Sequence, residues 1–230
     1  MDEKAPQIIY DVDDRLSDSP LVDLVWSSVS VGTGSFMSAA ASNTELVVTK
    51  QKNAINLTIR GPETKASQAD IPEDAEFLGI VLKLGTFIPT LPVSELLDGG
   101  INLPIAADKS FWLNGSAWQF PTFDNADTFI NKLVHQGLLA YEPVVEAALQ
   151  GPVKDLSQRS IQRRFIRTMG MPPGTIYQIE RARRAMKLLQ QGVSILDTVE
   201  QAGYSDQPHM TRSLKHFIGQ TPAQLLTIIK

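Results

Sequence analysis

The 230-residue chain is long enough for one large domain or two small ones, and its 43% hydrophobic and 20% charged residues are ordinary for a globular protein. It has no cysteine, which excludes disulfides and thiolate metal sites. The net charge of −4 joins two unlike parts: residues 151–230 hold 12 Lys/Arg and 5 Asp/Glu, a balance of +7, whereas residues 1–150 hold 9 and 20, a balance of −11. A basic module for a polyanion joined to an acidic module with another task fits this asymmetry, as does chance clustering of solvated helix faces.

The acidic start, MDEKAPQIIYDVDDR, lacks the apolar core of a secretory leader. No run approaches the ~20 apolar residues of a membrane span. A soluble cytoplasmic protein is expected. Residues 21–31, 46–49, 55–59 and 77–84 are short and rich in Val, Ile, Leu and Phe, with turn-forming residues between them. In the run from Asn56 to Arg60 apolar and polar positions alternate, as on a half-buried strand, and Gly61-Pro62 stops it. This half reads as a small barrel or sandwich. Gly32-Thr33-Gly34-Ser35 is too short for a phosphate-binding loop and reads as a hairpin turn.

Helical spacing begins after Pro121. Phe129, Ile130, Leu133 and Val134 share one face of a helix over 126–139, and a shorter helix follows over 143–149. The domain boundary is placed at about residue 122, giving a β-rich domain (1–122) and an all-α domain (123–230).

From Ser157 onward helix starts and stops are explicit. Ser157 caps a helix with Ile161, Phe165 and Met169 on its inner face and Arg159, Gln162, Arg163 and Arg167 on its outer side. Gly170 ends it, and Pro172-Pro173 prevents continuation. A long helix over 175–190 ends at Gly192. Ser194 opens the next, aided by Asp197. Gly203 makes a turn, Ser205 caps another helix, and Pro208 sits in its first turn. That helix buries Met210, Leu214 and Phe217 and exposes Gln207, Thr211, Arg212 and Lys215. Helix, glycine turn, helix is the helix-turn-helix plan. One helix fits the ~12 Å major groove, where Gln and Arg reach base edges, and Ser157, Ser194 and Ser205 with the N–H groups beside them suit phosphate oxygens.

The run GYSDQPHMTRSLKHFIGQTPAQL (203–225) resembles the signature of the AraC/XylS transcriptional regulators; LSQRSIQRRFIRTMGMPP is similar to that family's first recognition helix and RARRAMKLLQQGVSI to its linker helix. The resemblance implies an α+β protein with a barrel-like, cupin-like N-terminal sensor or dimerisation domain and a C-terminal double helix-turn-helix. It implies double-stranded DNA as partner, a small-molecule effector, a homodimer, and no catalytic activity or cofactor. Two recognition helices on one DNA face lie about one turn, ~34 Å, apart. By position, Arg159, Gln162 and Arg163, with Arg167, belong to the first base-reading helix, and Gln207, Thr211 and Arg212, with Lys215, to the second. Two departures stand out: the link at 151–156 exceeds the usual 3–4-residue turn, and Pro208 occupies a position where relatives place a polar residue.

In the acidic half, Trp26, Phe87, Trp112 and Trp118 are candidates for an aromatic effector pocket, with interface packing as the alternative use. A metal-binding cupin needs several histidines together. Residues 1–150 hold only His135, on a helix assigned to the DNA-binding part, and His209 and His216 fall in the second unit, so no metal is expected. The alternative function is a DNA-binding protein whose N-terminal domain recruits a protein partner and binds no small ligand.

Overall fold

The computed structural model describes residues 9–107 and 109–227; most of the acidic start lies outside them. The strands in the first half are β1 (Ile9–Arg15), β2 (Val22–Ser30), β3 (Gly34–Ser38), β4 (Glu45–Gln51), β5 (Ala54–Arg60), β6 (Ser67–Ile71), β7 (Ala75–Leu82), β8 (Thr86–Phe87), β9 (Gly100–Asn102), β10 (Ile105–Ala106), β11 (Ser110–Leu113) and β12 (Ser116–Gln119), with a 3-10 turn at Val93–Glu95. Then come α1 (Ala126–His135), β13 (Ala140–Tyr141), α2 (Pro143–Gln150), α3 (Gln158–Met169), α4 (Pro173–Gln190), α5 (Ile195–Gln201), α6 (Gln207–Phe217) and α7 (Pro222–Thr227). The layout is α+β, a β-rich part followed by helices.

Six antiparallel strands form the main sheet in the order β1-β2-β7-β4-β5-β9. Its edge strands β1 and β9 do not pair with each other, so this sheet is open. The two-residue period of a strand sends Val25, Leu46, Val48, Leu57, Ile59, Leu78, Ile80 and Leu82 into one core, together with Phe111, Leu113 and Trp118 of the β11–β12 hairpin. Asn114 (φ 49°) and Gly115 (φ 76°) make that hairpin's two-residue turn, which opposes Phe111 to Trp118 and Trp112 to Ala117. Gly32-Thr33-Gly34-Ser35 is not a hairpin turn: β3 pairs with β6, not with β2, so the chain changes sheets there. A further short pair joins β13 to β8.

The packing of α1 departs from the boundary expected near residue 122. Ala126, Phe129, Ile130 and Leu133, with Leu138 and Leu139, are buried in the same core as the β-sheet. Phe129 meets Trp118 edge-on, with ring centroids 6.1 Å apart. Burying each of these large side chains contributes about 1.5–3 kcal/mol, so α1 is held by the strands. Periodicity fixes that a helix forms but not which partner covers it. The later helices have a second core of Val145, Ile161, Phe165, Ile176, Ile179, Leu189, Met210, Leu214 and Leu225. Ala40, from the loop after β3, is buried within that second core, so the two parts are packed together.

Candidate nucleic-acid interface

Helices α3, α5 and α6 each begin at a side-chain cap. Ser157 accepts from the Ser160 N–H at 3.2 Å and starts α3; Ser194 accepts from the Asp197 N–H at 3.2 Å and starts α5. The α6 cap differs from expectation: Asp206, not Ser205, accepts from the His209 N–H, at 2.6 Å. Ser205 instead bonds the Asp206 carboxylate at 3.2 Å and His209 Nδ1 at 3.0 Å. That backbone N–H, with Ser205 adding to it, holds the Asp206 carboxyl below its usual range. Ser and Asp are both good caps, so their adjacency hid which one closes the helix. Pro172-Pro173 both stops α3 and starts α4, with Pro173 as the first helical residue, where its missing N–H costs nothing.

On α3, Ile161, Phe165 and Met169 face inward, while Arg159, Gln162 and Arg163 are exposed along one shallow groove. Arg167, also at that groove, is partly engaged: its Nη2 lies 3.3 Å from Glu142 Oε2, and its guanidinium stands 5.8 Å from the Phe87 ring centre. Arg164 is held more firmly, its Nη1 reaching both Glu142 oxygens at 2.9 and 2.8 Å. Glu142 is only 5% exposed and also accepts from the Val144 N–H as the cap of α2. Sequence reasoning missed Glu142; its position just before Pro143 is the available signal for a cap.

The second unit is α5, the turn at Gly203 (φ 73°) and α6. Its left-handed backbone there favours glycine. Met210, Leu214 and Phe217 are buried, Gln207, Arg212 and Lys215 are exposed, and Thr211 is half-buried. Tyr204 anchors the turn: its hydroxyl lies 2.9 Å from Ser213 Oγ, Arg181 of α4 stacks 4.4 Å over its ring, and His209 meets it edge-on. His209 is thus a packed side chain, whereas His216 is exposed. His135 is exposed on α1, with Nδ1 3.1 Å from the Asn131 carbonyl, on the β side rather than in the DNA-binding part.

The four aromatic candidates of the first half do not meet. Trp118 is core, against Phe129, and Trp112 is 47% exposed on the other face of its hairpin. Phe87 lies beside Arg167. Trp26 lines one cavity, with Phe36 and Phe77 rather than with the other three, and Trp118 borders a separate one beside Phe120 and Phe129. Alternation along β11–β12 separates Trp112 from Trp118, which the shared composition of the segment could not show.

Residues 155–227, from just before α3 to the end of α7, match a family model described as a helix-turn-helix domain. No curated protein and no solved structure matches the chain. Among the described residues, no helix is long and apolar enough to cross a membrane.

Proposed function

We propose that the chain is a DNA-binding transcriptional regulator of the AraC/XylS type, on the strength of its C-terminal helix-turn-helix match, and that its N-terminal part makes this binding responsive to a small effector. The observation that carries the proposal is the main-chain and side-chain joint between the parts. The Ala40 N–H donates to the Phe217 carbonyl at 2.7 Å, and Arg183 Nη1 of α4 donates to the Ala40 carbonyl at 3.0 Å. A ligand that binds one arrangement of this joint better than another shifts the population of DNA-binding states.

In this reading Arg159, Gln162 and Arg163 of α3 and Gln207, Thr211 and Arg212 of α6 face base edges, while Arg167, Lys215 and the capped starts at Ser157, Ser194 and Asp206 face phosphates. The functional boundary falls near Glu142, after α1 and β13, because α1 shares the core of the strands. The protein acts on genomic DNA in the cytoplasm, as a homodimer joined through its N-terminal part. Duplexes selected from genomic fragments, titrated by fluorescence anisotropy with and without small metabolites from cell extract, test the reading. Metabolite-dependent affinity supports it; affinity that no fraction alters leaves a regulator without an effector. Partner recruitment is the second reading, favoured by Ile105 and Trp112, which are 54% and 47% exposed on the β10–β12 sheet.

A further inference from the structure

The face of the main sheet away from its core bounds a cavity of about 730 Å³, whose other wall is the β3–β6 ribbon. This lies within the range of about 300–1,000 Å³ of small-molecule sites. The sheet contributes Trp26 and Phe77, and the ribbon contributes Phe36 and Asp70. Two contacts fix the Trp26 ring: its Nε1 donates to Glu45, and it lies so close over Gly79 that a Cβ there would collide with the indole. A flat, immobilised aromatic wall is suited to a flat ligand. The two charged side chains of the lining, Arg60 and Asp70, are opposite in sign, and Arg60 Nη2 is already bonded to Glu63 Oε1 at 2.9 Å. An anionic ligand would find Arg60 already paired, and a cationic one would find Asp70 exposed to water, where a counter-charge contributes little, so a neutral one is favoured.

The same cavity leads to the DNA-binding helices through the base of the ribbon. Glu63, which holds Arg60, also accepts from Ser38 Oγ at 3.2 Å, and its N–H donates to the Ala41 carbonyl at 2.7 Å. Immediately beside these, Ala40 and Ala66 donate their N–H groups to Phe217 and His216 at 2.7 and 2.8 Å, in the last turn of α6. Met37 packs so closely over Gly219 that a side chain there would displace it.

We propose that this cavity binds a small, neutral, planar aromatic molecule with a polar edge, and that the β3–β6 ribbon transmits its occupancy to α6 and α4. The proposal rests on the effector-responsive reading and gives it a site. Aromatic walls supply stacking, Thr58 and Asn102 at the cavity supply polar contacts, and the ribbon moves only as far as the ligand favours one position over another.

The test uses the full chain and three probes: indole, its anionic relative indole-3-acetate and its cationic relative tryptamine. Calorimetry is expected to show indole binding with a Kd below about 1 mM and the two ions binding at least about tenfold more weakly. Phe36→Ala and Thr58→Val are expected to weaken indole severalfold while retaining the cooperative thermal transition of the parent. Indole is expected to shift affinity for a selected duplex, and Arg183→Gln, which loses the bond to Ala40, to shrink that shift while indole still binds. Absence of binding by all three probes overturns the site, as does equal binding of the ions or indifference to both substitutions. Indole binding that leaves DNA affinity unchanged overturns the effector-responsive reading and the ribbon's role. A response to cell metabolites without any binding of the probes overturns the site alone.

Discussion

Glu142 and Arg164 form a two-pronged ion pair, with one guanidinium nitrogen 2.9 and 2.8 Å from the two carboxylate oxygens, joining the cap of α2 to the middle of α3. Because the carboxylate is only 5% exposed, its loss leaves Arg164 partly buried with no partner. Arg164 keeps 38% side-chain exposure, so water offsets part of the penalty. Glu142→Ala is expected to destabilise the chain by about 1–3 kcal/mol in urea unfolding, through the lost pair and the lost cap. An unchanged midpoint with an unchanged slope would show that the pair contributes nothing net.

The α6 start offers a comparison between adjacent residues. Asp206 satisfies the His209 N–H, and Ser205 only buttresses it. Asp206→Ala is therefore expected to lower the melting temperature and specific DNA affinity more than Ser205→Ala. Asp206→Asn retains the cap, since Asn caps as well as Asp. Its advantage is in pH dependence. A carboxyl whose folded pKa is depressed contributes stability above its ordinary pKa of about 3.9 and loses it as pH falls through the lower folded value. The Asn variant is expected to lose less stability than the parent in that acidic window, measured by thermal melts from pH 5 downward. Equal acid sensitivity would show that other carboxylates dominate.

Much of the C-terminal part is legible because its signals are local. Ser157, Ser194, Gly170 and Gly203 mark starts and stops within single turns, and four-residue spacing identifies Ile161, Phe165 and Met169 as core. The β part is legible where alternation is strong, at Asn56 to Arg60, and not where pairing is remote. β3 and β6 are polar and short, and each depends on the other some thirty residues away, as in Phe36 opposite Ala69. The partner of α1 and the placement of Trp26, Phe87, Trp112 and Trp118 are likewise long-range outcomes. Glu142 escaped notice because its two arginine partners lie on a different helix.

The outer faces of α3 and α6 make separable predictions about DNA. Gln162→Ala and Arg212→Ala are expected to cost about 1–3 kcal/mol on a selected duplex, with relaxed discrimination at one base pair each. Lys215→Ala is expected to weaken all sequences alike and to reduce the slope of log K against log salt by about 1. Arg167→Ala should do less than Arg163→Ala, because Arg167, though exposed, is shared with Glu142 and Phe87, whereas no ion pair engages Arg163 among the described residues. Anisotropy titrations at several salt concentrations measure all five. A larger effect at Arg167 would show that it leaves Glu142 when DNA binds.

Glu45 carries the last prediction. Burial pushes its carboxyl above the usual range, and the hydrogen bond from the Trp26 indole, with Arg60 nearby, only partly opposes this. A carboxyl whose folded pKa exceeds its unfolded value contributes stability that is fully present below the unfolded pKa, about 4.3, and is lost as pH rises through the raised value. Glu45→Gln keeps an oxygen to accept from Trp26 but has no proton to lose. The Gln variant is therefore expected to match the parent near pH 4 and to gain on it by pH 7, read from urea unfolding at the two pH values. If the variant instead falls behind the parent as pH rises, the ionised carboxylate is stabilising and the Trp26 bond outweighs the burial.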